Sequence, residues 1–389
     1  MAKRKKQKIN PALIVISCVL ALAIGVLAGF ATSTYLGNES YIIPDAVAAA
    51  NEASAGEIKV EEFKDKELSI HFLELGNKYT GDCTFIKVGN TEVLIDAGSR
   101  ADSVDDIYDY ISPYISDGKL EYVIVTHAHQ DHYAGFATGE KVDSLFDKLN
   151  VGTVVTFAKT NQKDSSTLYK NFKRELEETK EKNGTVVYSV ATLIAENKSV
   201  YTLSDDIELE FLYQKYYEEK ASTENNYSVC CMITQKTDGE DNRYLFTGDL
   251  EEDGEESLVE KNKDKLGKVK LFKAGHHGSK TSSSEALLDI IDPEIVCVCA
   301  CAGSPEYTKN NDNQFPTQAF IDRVFPHTEN VYVTSLCIDY DKGEFTSMNG
   351  DIVVYTDSDK EVKVKCSNNS TILKDTEWFK TNRKMPSTT

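Results

Sequence analysis

Basic residues are scarce in this chain: 43 lysines and arginines stand against 63 aspartates and glutamates in 389 residues, a formal charge of −20. Five of those cations lie in KRKKQK at residues 3–8, which leaves 38 basic against 63 acidic residues, a balance of −25, over the rest. A surface that holds nucleic acid by releasing counterions needs the opposite sign, so the balance argues against that class of binding protein. A phosphodiester gripped only at a metal site is not. No internal repeat is apparent, which removes solenoids and propellers. The nine cysteines lack the arrangement of a disulfide framework. Cys18 falls in an apolar run, and Cys297, Cys299 and Cys301 of VCVCAC alternate along one apparent strand and share a face. Three such thiols could form a soft-metal site, but they read better as small buried hydrophobes of a core strand. Mostly free thiols are expected, which suits a reducing or anaerobic setting.

Histidine is rarer still, with seven in the chain. Three of the seven nevertheless fall with an aspartate inside THAHQDHYAG (Thr126–Gly135), and two more are adjacent at His276-His277. The other two are His71, in an apolar strand where a hydrogen-bonded core histidine is expected, and His327, after Pro326 in a loop.

A nearly uninterrupted apolar run extends from Ala12 to Ala31 behind the basic segment. At about 1.5 Å per residue, roughly 20 helical residues cross a bilayer. The cations flank only the amino side, so a cytoplasmic tail (1–10), a transmembrane anchor or export signal (11–31) and an outward-facing remainder are expected. Residues 32–66 are small, polar and acidic and read as a spacer. The organisation expected beyond them is a domain at 67–357 and a C-terminal strand and polar tail at 358–389. The chain would sit in the cell membrane by a single pass with its domain extracellular, or be secreted if the segment is cleaved.

From Leu68 the chain reads as short apolar strands separated by turns and helices. LSIHFLEL opens, CTFIKV and TEVLIDAG form a hairpin around Gly89-Asn90, a helix follows near Val104–Ile115, and YVIV (Tyr122–Val125) is a buried strand. That strand delivers His127-x-His129-x-Asp131-His132, four ligand-type side chains on one compact loop able to serve two centres. Imidazole and carboxylate together are the ligand set of zinc, with manganese or iron also possible. RYLFTGDLE ends a strand at Asp249, and VKLFKAGHHGS ends one at His276-His277. Strand ends carrying Asp and His are what a metal site at one sheet edge requires.

With these residues in view, the chain resembles the metallo-β-lactamase superfamily, and within it the hydrolase domain of the ComEC-type DNA-internalisation competence proteins. The resemblance runs through HFLELG with GDC, LIDAG, THAHQDHYAG, NNYSV, LFTGDLE, KAGHHGSKTSSSEALL and the strand pair near NGDIVVYT, covering about residues 68–357. It implies an α/β fold, the αββα sandwich, with metals at one edge. It also implies that His127 and His129 hold one metal, Asp131 and His132 the second, that Asp249 bridges, and that His276 or His277 completes the second site. Asp96 of LIDAG would orient the ligands of the histidine loop.

The chain departs from the family in two places. Superfamily members usually supply another histidine between the HxHxDH loop and the bridging aspartate, and none lies between His132 and His276 here. Asn226 or Ser228 of NNYSV would hold water or substrate at that place. Phe315 stands before Pro316, where many relatives carry a histidine.

The implied chemistry is hydrolysis by a metal-bound hydroxide, with Asp131, Asp249 and His277 as the catalytic group and zinc or manganese as cofactor, one ion tight and one labile. Ser282 and Glu285 have capping-box spacing, so a helix should start there with free N–H groups for an anion, aided by Ser279 and Lys280. A phosphoester substrate is expected, either DNA or a cell-wall polymer. A phosphorylcholine-type esterase and a non-catalytic binding module that kept the fold are the competing readings.

Overall fold

The computed structural model describes residues 53–387. The expected cytoplasmic tail, the anchor or signal at 11–31 and most of the spacer lie outside the described residues. Among the described residues no helix is long and apolar enough to cross a membrane.

In chain order the strands are β1 (Ser54–Ala55), β2 (Leu68–Phe72), β3 (Thr84–Val88), β4 (Thr91–Ile95), β5 (Lys119–Val125), β6 (Asn150–Thr156), β7 (Val186–Ser189), β8 (Val200–Ser204) and β9 (Ile207–Leu212). They continue with β10 (Cys230–Gln235), β11 (Asn242–Phe246), β12 (Leu271–Lys273), β13 (Ile295–Ala302), β14 (Val331–Asp339), β15 (Glu344–Ser347), β16 (Ile352–Thr356) and β17 (Val362–Cys366). One nine-stranded sheet runs β1-β17-β16-β2-β3-β4-β5-β6-β7 and one eight-stranded sheet runs β15-β14-β13-β12-β11-β10-β9-β8.

Alternation along the strands explains how the two sheets stack. Within β10, Cys231 and Ile233 join the core between the sheets, while Cys230 and Met232 face the outer layer formed by the helices Glu252–Lys261, Glu285–Ile291 and Gln318–Val324. In β13 the split repeats, with Cys297 and Cys299 inward and Val296 and Val298 outward. The helices Ser103–Ile111 and Thr167–Asn183 bury Ile107 and Phe172 in the first core. The result is the αββα sandwich. The eight described cysteines are free, and the VCVCAC thiols are core hydrophobes as read from their spacing.

His71 is fully buried and hydrogen-bonded to Tyr110 and Ser69 at 2.9 Å each. His327 lies on a loop 3.3 Å from Asp292. The last residues assigned to the spacer take part in the fold. Ser54 and Ala55 pair with Lys365 and Cys366, and Phe63 is fully buried against His71 and Tyr355. The strand expected after residue 357 is β17, which pairs with β16 in the first sheet.

Both sheets place parallel strands side by side: β4 to β7 in one, β11 to β14 in the other. Parallel neighbours release their following loops at the same edge, which is where α/β folds build sites.

Candidate metal centre

The first side of the centre is laid by β4 and β5. Ile95 pairs with Ile124, so Asp96 emerges beside Thr126. The Asp96 carboxylate accepts from Thr126 N at 2.8 Å, from the Thr126 hydroxyl at 2.6 Å and from His132 Nδ1 at 2.7 Å. LIDAG is thereby laced to the histidine loop. Gly98 lies so close that a Cβ there would come within 1.6 Å of Asp131 O.

The second side comes from β11 and β12. Gly248, at φ 55°, turns the chain against Thr126 and Ser228 and brings Asp249 beneath the histidines. Four ring nitrogens then surround one oxygen. His132 Nε2 lies 3.1 Å from Asp249 Oδ2, His277 Nε2 3.5 Å, and His127 Nε2 and His276 Nε2 3.9 Å each. His129 Nδ1 is 3.0 Å from His127 Nε2, and Asp131 Oδ2 is 3.5 Å from His277 Nε2.

The opposite nitrogens are each held from outside. His132 Nδ1 is on Asp96, His277 Nδ1 donates to Cys299 O at 2.9 Å, and His276 Nδ1 is 3.0 Å from Thr281 Oγ1. His127 Nδ1 lies 3.2 Å from Thr126 Oγ1 and 3.4 Å from Ser228 Oγ, which also accepts from Asp249 N at 3.0 Å. Rings fixed at the outer nitrogen with the other free are what metal-ligating histidines require.

Two of those inner atoms, His132 Nε2 and His277 Nε2, are buried without any hydrogen-bond partner, and so is Asp249 Oδ1. Buried polar atoms are rarely left unpaired, so donors this close together suit a divalent metal. The tightest cluster by distance alone is Asp82, His132, Asp249 and His277, all within 4.8 Å of one another. Asp82, however, faces the Nδ1 side of both rings and is engaged by Lys273. The open side, where Nε2 lone pairs meet Asp249 Oδ2 and Asp131 Oδ2, is the better seat.

Burial pushes the Asp249 carboxyl up, but His132, His277 and His276 outweigh it and hold the group well below the usual carboxylate range. Burial also opposes charge on Lys273, yet Asp82 and Asp249 keep it protonated. His276 and His277 both adopt left-handed backbone, φ 48° and 54°. For residues with a Cβ that costs about 1–3 kcal/mol each and is typically held at functional sites.

Asn226 accepts at Oδ1 from Glu251 N at 3.1 Å. Its neighbour Asn225 has Nδ2 3.4 Å from His276 Nδ1 and donates to Glu251 Oε1 at 3.0 Å, and its Oδ1 is buried and unpartnered. The Ser282–Glu285 capping box does not form. Ser284 is the N-cap of the helix Glu285–Ile291, and the buried Glu255 carboxylate accepts from Ser283 N and Ser284 N at 2.7 Å each. The anion expected at that end is therefore part of the chain. Ser279 is 3.1 Å from Thr281, and Lys280 is exposed, lining a surface cavity with Arg323, Glu252 and Glu285.

Three further residues belong to the centre without having been read from the sequence. Asp82 and Lys273 lie beneath it, and Tyr307 donates its hydroxyl to Asp131 Oδ2 at 2.6 Å from the rim, beside Phe315. A lysine inside the apolar strand VKLFK was the one visible signal.

A family model described as the metallo-beta-lactamase superfamily matches residues 76–139, the segment with GDC, LIDAG and the histidine loop. Over that segment the chain is similar to that superfamily. The chain is 34% identical over 82 residues to Recombination protein 2 of Haemophilus influenzae, covering 21% of this chain and 9% of that one. It is 37% identical over 123 residues to Competence protein ComA of Neisseria gonorrhoeae, covering 32% of this chain and 16% of that one. The match thus spans well under two thirds of either relative. Among solved structures, the metallo-beta-lactamase fold protein YhfI from Bacillus subtilis overlaps 53% of this chain and 70% of that chain at 14% identity, with a TM-score of 0.31.

Proposed function

We propose that this protein is a metal-dependent phosphodiester hydrolase, anchored by its amino-terminal apolar run with the domain outside the cell. The observation that carries the reading is the set of four imidazole Nε2 atoms around Asp249 Oδ2, two of them buried and unpartnered. A binding module that had merely kept the fold would have no need to leave them unpaired.

His127, His129 and Asp249 would hold one metal, and Asp131, His132, Asp249 and His277 the other. The second set has one more donor, which supports one tight and one labile ion, with zinc as the occupant and manganese as its substitute. When bound, such ions supply an activated water and stabilise a leaving oxygen. The chain's own residues do the positioning. Asp96 fixes His132, Ser228 and Thr126 fix His127, and the Tyr307 hydroxyl stands at the rim on Asp131, where it can turn to a substrate oxygen.

Relatives named for recombination and competence point the substrate toward nucleic acid. The acidic balance of the chain favours a second reading, a cell-wall phosphoester, because a long polyanion is repelled. The full chain, purified with its metals, should be offered phosphodiester, nucleic-acid, lactam and thioester substrates. Phosphodiester turnover that chelation abolishes, that zinc or manganese restores and that Asp249→Ala removes is expected. Turnover indifferent to chelation, or metal retention without phosphodiester turnover, would refute the reading.

A further inference from the structure

Lys273 is 3% exposed at the end of β12, in the middle of the fold. A buried ammonium is tolerated only when paired and hydrogen-bonded. Its partner is Asp82, equally buried, and its Nζ also reaches Gly248 O at 3.4 Å and lies 3.9 Å from Asp249 Oδ1. Asp82 in turn holds Oδ1 3.1 Å from His277 Nδ1 and Oδ2 3.7 Å from His132 Nδ1. Its backbone N donates to Asp131 O at 2.9 Å, and its O accepts from Gly98 N at 2.9 Å. The pair therefore touches each loop that carries a donor of the second metal position: Asp131-His132, Asp249 and His277.

Asp249 is divided by this arrangement. Oδ2 faces the four imidazoles, while Oδ1 is buried with no hydrogen-bond partner and only the ammonium opposite it. We propose that Lys273 is a positioning residue of the centre, a tethered internal cation that occupies the field of Asp249 Oδ1 and leaves Oδ2 as the oxygen shared by the metals. Asp82 cancels the charge of Lys273, so the metals meet a dipole and not a repelling cation. The inference rests on the metal reading of the centre.

A brace and a counter-charge respond differently to mutation. If the pair only braced the loops, losing either partner would weaken metal binding in step with stability. If charge is the point, the two losses act in opposite senses. Asp82→Asn unmasks an ammonium 3.9 Å from Asp249, whereas Lys273→Met removes it.

The test strips the full chain of metal and titrates it calorimetrically with zinc, in parallel with thermal unfolding of the metal-free form. Visible spectra of the cobalt(II)-loaded chain add a coordination readout. Asp82→Asn should weaken metal binding by about ten-fold or more, because the unmasked charge acts in a low dielectric. Lys273→Met should destabilise the metal-free protein yet bind zinc at least as tightly as the native chain. The neutral double variant Asp82→Asn/Lys273→Met should return to within about three-fold of native affinity, its cobalt bands shifted because Asp249 Oδ1 is released. Zinc binding by Lys273→Met that is weakened as much as by Asp82→Asn would overturn the proposal. Should the single variants not fold, a double variant with unshifted cobalt bands would do the same. A native chain that binds no divalent metal fails at an earlier step, sinking the metal reading and this inference together before any variant is made.

Discussion

Replacing Gly98 by alanine tests how tightly the centre depends on backbone packing. The added Cβ would sit 1.6 Å from Asp131 O, 2.1 Å from Asp131 C and 2.8 Å from His132 N, and ordinary contact begins near 3.4 Å. The LIDAG segment and the histidine loop must then part by nearly 2 Å. Two buried hydrogen bonds bind those segments at this point, Ala97 N to His132 O and Gly135 N to Ala97 O at 2.7 Å each. Losing both costs about 1–3 kcal/mol each, and the overpacking adds about 1–3 kcal/mol. A loss of about 3 kcal/mol, the low end of that range, lowers Tm by roughly 4 °C in a domain of this size, at about 2.1 cal/mol/K of unfolding entropy per residue. Asp131 and His132 move with the loop, so metal retention should fall along with Tm. Thermal unfolding and metal analysis of Gly98→Ala give both numbers, and Gly139→Ala is the control, since nothing lies within 4 Å of its added Cβ. A Gly98→Ala protein with native Tm and native metal content would refute the close-approach argument.

His71 should give the fold an acid-sensitive slope. Burial pushes its pKa down to about 3, so from pH 6.5 downward the unfolded chain binds a proton that the folded chain refuses, and stability falls as pH falls. By pH 5 the loss is about 2 kcal/mol, and it should be missing from His71→Gln when denaturant curves of the two proteins are compared at pH 7 and pH 5. The adjacent histidines should separate in metal analysis. His277 is fully buried with Nε2 3.5 Å from both Asp131 and Asp249, while the His276 side chain is 21% exposed and 3.9 Å from Asp249. His277→Ala should therefore lose metal by about ten-fold more than His276→Ala, each lost ligand being worth at least an outer-sphere partner. The reverse order would reassign the second metal position.

The parts legible in the sequence were those with short-range logic. Period-two alternation and β-branched runs announced β2, β4 and β5, and the apolar strand followed by His-x-His-x-Asp-His announced an edge site because the spacing itself crowds four donors onto one loop. Local rules were less use where a distant residue could outbid them. Ser282 and Glu285 carry the capping-box spacing, but the helix starts two residues later, at Ser284, where the buried carboxylate of Glu255, 28 residues before Ser283, accepts from Ser283 N and Ser284 N. In the same way, NNYSV offered two asparagines to one position, and only the fold of the segment decided that Asn225 faces His276 while Asn226 satisfies Glu251 N.

Asp82 and Lys273 show why part of a site goes unread even inside the motifs GDC and KAGHHGS. They are about 190 positions apart, and neither motif names the other's residue: a GD pair reads as an ordinary turn, and the lysine in VKLFK, though out of place in an apolar strand, does not say what neutralises it. What makes them part of the centre is that β12 and the loop before β3 approach from different sheets and close over both side chains, burying each against the other beside Asp249 and His277. A charge pair of this kind costs stability relative to apolar packing of the same volume. Its retention directly behind a carboxylate ringed by four imidazoles is hard to explain by packing. The more economical account is that the sandwich places a permanent cation where it governs how Asp249 presents its oxygens, and the opposed effects of Asp82→Asn and Lys273→Met decide between the two.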